Sequence, residues 1–77
     1  MELKNQGKLV EASDAFADLI KTFPDYVPSY LMAGNTASAL GLPDQARDIY
    51  TRGIATARAR GDLHAAKELE AALAELD

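Results

Sequence analysis

The chain has 77 residues and no cysteine; 48% of its residues are hydrophobic, 26% are charged and the formal net charge is −4. This length allows one small domain, and the lack of cysteine excludes both a disulfide framework and a cysteine-based metal site. The basic residues are interspersed with acids and no apolar run could span a bilayer, so we expect neither nucleic-acid nor membrane binding.

Five helices are predicted in chain order, over residues 1–6, 9–22, 28–40, 43–59 and 62–76. Abundant alanine and sparse β-branched residues favour helix throughout. Gly7 and Gly41 each lie between two helical patterns, where a glycine with positive φ can end one helix and turn into the next. Pro28 stands near the start of the third helix, where proline is tolerated.

The chain repeats with a period of 34 residues. Gly7 aligns with Gly41 at this offset, and further pairs align with them: Ala12 with Ala46, Asp14 with Asp48, Phe16 with Tyr50, and Ile20 with Ile54. A fixed period of this length is typical of a stacked array of helix pairs.

These residues resemble the tetratricopeptide repeat (TPR) family, in particular a small bacterial-type TPR domain. The matching positions of the second unit are Tyr30, Ala33, Gly34, Gly41, Ala46 and Tyr50, and those of the first are Gly7, Ala12, Phe16 and Pro24. The resemblance implies an all-α fold, a right-handed solenoid fragment of antiparallel helix pairs with about two repeats and a C-terminal capping helix. Five positions depart from the family pattern: Ala33 and Ala37, where a leucine and a tyrosine are usual, Leu19 and Gly53, where an alanine is usual, and Arg58, where the closing proline would stand.

We expect a single domain with a partial unit over 1–26, a complete unit over 27–60 and a capping helix over 61–77. Asp62 can cap the last helix, whose predicted apolar stripe is Leu63, Ala66, Leu69 or Glu70, Leu73 and Leu76. The first helix is too short to cover the second, which indicates either a longer chain upstream or an edge buried by another copy.

The sequence lacks the residues that catalysis and metal binding require. His64 is the only histidine, and with Glu68 it supplies at most two metal ligands where zinc needs three or four. The hydroxyl side chains have no histidine base nearby, and the acidic pairs are expected on solvated helix faces. The chain is therefore predicted to be no enzyme and to hold no cofactor or metal. A small regulatory protein that binds a metal or ligand at His64 is a competing class.

The arginines 47, 52, 58 and 60 are predicted to have structural roles, with recognition of an acidic partner segment as the alternative.

We therefore predict that the chain is a cytoplasmic scaffold or adaptor that binds a protein or peptide. In TPR arrays the first helix of each unit lines a concave groove, and the resemblance places these residues in it: Leu31, Met32, Asn35, Ser38 and Ala39 from the second unit, with Lys4 and Asn5 from the first. At Asn35 the family often has an asparagine that hydrogen-bonds the ligand backbone. The alternative function is homo-oligomerisation, with a possible homodimer formed through the incomplete first unit.

Overall fold

The computed structural model describes the backbone of residues 3–76 and the side chains of residues 7–76. This part of the chain forms four helices and contains no strand: α1 (Leu3–Thr22), α2 (Pro28–Ala39), α3 (Pro43–Ala59) and α4 (Leu63–Glu75). Short turns join them, so successive helices run in opposite directions. α2 packs against each of the other three helices, and α4 also packs against α3.

The predicted break at Gly7 is wrong. The predicted helices 1–6 and 9–22 join into α1, and Gly7 does not have a positive φ; residues 1 and 2 lie outside the described residues. The reason is the absence of a restart signal. Gly41 is followed at once by Leu42 and Pro43, whereas Gly7 is followed by helix-forming residues with no proline or capping side chain.

The other two turns each end a helix with a glycine. Gly41 has φ +77° and Gly61 has φ +75°. The N–H of Gly41 donates to the Ser38 carbonyl at 3.0 Å, and the next N–H, that of Leu42, donates to the Ala37 carbonyl at 2.9 Å. This pair of bonds is the Schellman motif, which satisfies the last carbonyls of a helix. The turn after α3 has the same Schellman motif, formed by Gly61 and Asp62. The predicted starts and ends of α2, α3 and α4 are confirmed to within one residue.

The core lies where aromatic rings of one helix meet glycines of the next. Tyr30 of α2 packs on Gly53 of α3, and Tyr50 of α3 packs on Gly34 of α2. Both rings are buried, with 3% and 2% of their surface exposed, and Ala46 between them in sequence is 0% exposed. Small residues therefore let α2 and α3 approach closely while the two tyrosines fill the remaining space.

The last helix closes the stack on α3. Ala66 and Leu69 are buried, and Leu73 and Leu76 pack beside them, as the predicted stripe required. Leu63 does not belong to the stripe, since 65% of its surface is exposed; at 100° per residue it lies about 120° around the helix from Leu69. Asp62 caps α4 as predicted, because its Oδ1 accepts from the Ala65 N–H at 3.1 Å.

Candidate functional site

Five of the seven residues predicted to line a groove lie on one side of α2. Helical geometry places Leu31, Asn35 and Ser38 in one row and Met32 and Ala39 in the row beside it. Leu31 is partly buried against the core, whereas the other four are exposed, Met32 by 51%. These five residues form a mixed apolar and polar surface, which we call the α2 face.

The side chain of Asn35 is held by a tyrosine of the neighbouring helix. The phenol O–H of Tyr50 donates to Asn35 Oδ1 at an O···O distance of 2.5 Å. Because the amide oxygen accepts this bond, the NH₂ group of Asn35 remains available as a donor. The ring of Tyr50 is itself fixed in the core, so the asparagine is positioned before any ligand arrives.

The electrostatics keep this donor protonated. The pKa of Tyr50 is raised above the usual 10.0, chiefly because burial disfavours the phenolate and secondly because the negative charge of Glu75 repels it. Glu75 is the last residue of α4, so the negative charge that acts on Tyr50 comes from the end of that helix. Sequence reasoning did not assign Tyr50 or Glu75 to the site. Tyr50 could have been assigned from the sequence, because the turn between α2 and α3 brings its helix back alongside Gly34 and Asn35.

The two remaining predicted residues come from α1. The backbone of Lys4 and Asn5 belongs to this continuous helix, not to a separate groove-lining helix. Their side chains lie outside the described residues, so their part in the site stays a prediction.

His64 and the four arginines considered as candidate sites form ion pairs on the surface. His64 Nε2 lies 3.5 Å from Glu68 Oε2 with 86% of the histidine side chain exposed, and within the described residues no cluster of three metal-ligating side chains occurs. Each arginine faces an acid of the same chain: Arg47 with Asp44, Arg52 with Asp48, Arg58 with Glu70, and Arg60 with Asp25. The first two pairs lie within α3, the third joins α3 to α4, and the last joins the two turns at one end of the stack.

None of the helices in residues 3–76 has the length and apolar character needed to cross a bilayer.

Comparison with solved structures shows a close similarity. The solution NMR structure of a tetratricopeptide repeat domain protein from Salinibacter ruber superposes with a TM-score of 0.86 at 33% sequence identity. The match covers 91% of this chain and 71% of that one. No family model and no curated protein matches the sequence.

Proposed function

Because the chain belongs to the tetratricopeptide repeat family, we propose that it is a cytoplasmic scaffold or adaptor module, without catalysis, that binds a peptide or partner protein. The fold is a helical repeat of the type generally used for protein interaction, and the α2 face is the surface through which we propose that it binds. The complete unit in this proposal is residues 27–60. The absence of cysteine agrees with a reducing compartment.

The observation that supports the α2 face is the positioned amide of Asn35. Tyr50 holds its oxygen and leaves the NH₂ group to donate to a peptide carbonyl. The exposed side chain of Met32 lies one row away and offers an adaptable apolar contact. A peptide laid along α2 would therefore meet one fixed polar donor and one apolar contact, a combination that gives both orientation and affinity.

Selection from a displayed library of random peptides would test this proposal. We expect the selected peptides to bind the unmodified chain and to lose most of their affinity for Asn35→Ala and for Met32→Glu. The matched control is Ala55→Glu, which adds the same charge at an exposed position of α3. Equal losses in Met32→Glu and Ala55→Glu, or peptides whose binding shifts no NMR signal of α2, would contradict the proposal.

A second candidate function, homo-oligomerisation, is favoured by the exposed surface of α1. Among the described residues α1 packs only against α2, and Val10 on it is 49% exposed. Light scattering across a dilution series tests this candidate. Self-association predicts a dimer that dissociates on dilution and that Val10→Glu disrupts, whereas a constant monomer mass would rule it out.

A further inference from the structure

A concave surface lies on the side of α2 away from the α2 face. It is a cleft of about 350 Å³ between α1 and α3, with Ala33 of α2 in its lining. Ala33 is two residues from both Leu31 and Asn35, so its side chain lies about 160° around the helix from theirs and about 100° from that of Met32. The cleft and the α2 face are therefore separate surfaces of the same domain.

The two ends of the cleft differ in charge. α1 and α3 run parallel because each is antiparallel to α2, and the lining residues run from Ser13 and Gln45 at one end to Lys21 and Arg52 at the other. At 1.5 Å per residue this span is about 10–12 Å. One end therefore presents uncharged polar groups and the other presents two cations, one from each wall.

The base of the cleft is apolar, and it is open because one of the side chains that form it is small. It is formed by Ile20, Ala33 and Ile49; the first two are buried, with 6% and 4% of their surface exposed. Ala33 stands where the repeat pattern usually has leucine, so the space that a larger side chain would fill remains empty. Open apolar volume lowers stability, and it also provides a place for an apolar group of a ligand.

Among the described residues, the charged end of the cleft is only partly neutralised. Arg52 Nη1 lies 3.6 Å from Asp48 Oδ2, and both side chains are largely exposed. Lys21 has no carboxylate within 4.0 Å among the described residues. With Asp48 also in the lining, the cleft carries two positive charges and one negative charge, and Lys21 is the cation that pairs with no carboxylate of residues 7–76.

We propose that this cleft binds a small apolar carboxylate, an alkyl or aryl carboxylic acid. Its carboxylate lies between Lys21 and Arg52, and its apolar part covers Ile20, Ala33 and Ile49. The volume is near the lower end of the range of about 300–1,000 Å³ found for small-molecule pockets, which favours a free small molecule over a peptide segment. The proposal does not depend on peptide binding at the α2 face.

Titration of the ¹⁵N-labelled chain with octanoate, followed by amide NMR shifts, tests the site. We expect saturable shifts in α1 and α3 along the cleft, and much weaker binding of 1-octanol, which lacks the charge. Lys21→Met should weaken octanoate binding about tenfold, through loss of a charge-assisted contact. Lys8→Met is the matched control, since it removes an exposed lysine of the same helix that does not line the cleft, and it should leave the affinity unchanged.

A second variant tests the apolar part. Ala33→Leu should fill the base of the cleft and abolish octanoate binding while the helical circular dichroism is kept. Equal affinity for octanol and octanoate, equal effects of Lys21→Met and Lys8→Met, or undiminished binding by a folded Ala33→Leu variant would each overturn the proposal. Tighter binding of a short peptide with a C-terminal leucine than of octanoate would overturn its assignment to a small molecule.

Discussion

The ring of Tyr50 lies directly on the backbone of Gly34. A Cβ atom built on that glycine would stand 2.2 Å from Tyr50 Cε1, closer than any non-bonded contact allows. The reciprocal contact joins Tyr30 to Gly53, where a Cβ would stand 2.5 Å from Tyr30 Cβ. The crossing of α2 and α3 is therefore fixed from both sides by an aromatic residue on a glycine.

Gly34→Ala should lower stability despite the better helix propensity of alanine. The added methyl displaces a buried ring, and overpacking of this kind typically costs about 1–3 kcal/mol. For a domain of this size each kcal/mol lowers the melting temperature by about 4–8 °C. Thermal unfolding followed by circular dichroism would measure the change.

Gly7→Ala is the control for this prediction. Gly7 lies inside α1 with no atom within 4 Å of the added Cβ, so propensity alone should act and raise stability by about 0.5–1 kcal/mol. The packing argument is lost if both glycine variants melt higher than the unmodified chain.

Ala46→Leu should destabilise the domain by about 1–3 kcal/mol. Ala46 has no exposed surface, so three further carbon atoms have no free volume to enter. Ala55→Leu, on the exposed side of the same helix, should change stability by less than about 0.5 kcal/mol. Urea unfolding of both variants would check this, and similar midpoints would show that the crossing at Ala46 is looser than the burial indicates.

Stability should fall as the pH rises above about 10. The pKa of Tyr50 is raised in the folded state by burial and by Glu75, so the unfolded chain loses this proton first. The contribution is fully present below the unfolded pKa and is lost as the pH rises through the folded pKa. Urea unfolding at several pH values between about 9 and 11 would measure the slope.

Tyr50→Phe separates this effect from other alkaline titrations. The variant lacks the phenol, so its stability should decline less steeply over the same range. At neutral pH it should lose about 0.5–1.5 kcal/mol with the bond to Asn35. Parallel pH profiles for the two proteins would exclude Tyr50 as the source of the slope.

Asp62→Ala should cost about 1 kcal/mol through loss of the α4 cap. The bond from the Ala65 N–H to the Asp62 carboxylate disappears, leaving an amide of the first turn without its side-chain acceptor. Asp62→Asn keeps an acceptor at the same place and should retain most of the stability. Thermal melts of the two variants distinguish capping from a general effect of charge, since a charge effect would make them equal.

The local signals in the chain account for most of the helix ends. Gly41 and Gly61 adopt positive φ, Pro28 and Pro43 stand at the starts of α2 and α3, and Asp62 caps α4. These features depend on a few neighbouring residues, so they can be read without knowing the fold. Gly7 shows the limit of that reading, because a glycine ends a helix only when the residues after it favour a turn and a new start.

The candidate site was predictable only in part. The resemblance to the repeat family predicted which residues of α2 share a face. It did not reveal that Tyr50 orients Asn35 or that the charge of Glu75 acts on Tyr50, because these interactions join different helices.

The sequence by itself determined the all-α class, which follows from residue type and periodicity along the chain. Through its resemblance to the repeat family it also predicted the family and the residues of α2 that share a face. The tertiary structure alone decided the exposure of Leu63, the Tyr50–Asn35 bond and the cleft over Ala33. All three depend on how far apart the helices stand and how each is rotated about its axis. Those quantities are set by the packing of side chains such as Tyr30 and Tyr50 against residues distant in the sequence.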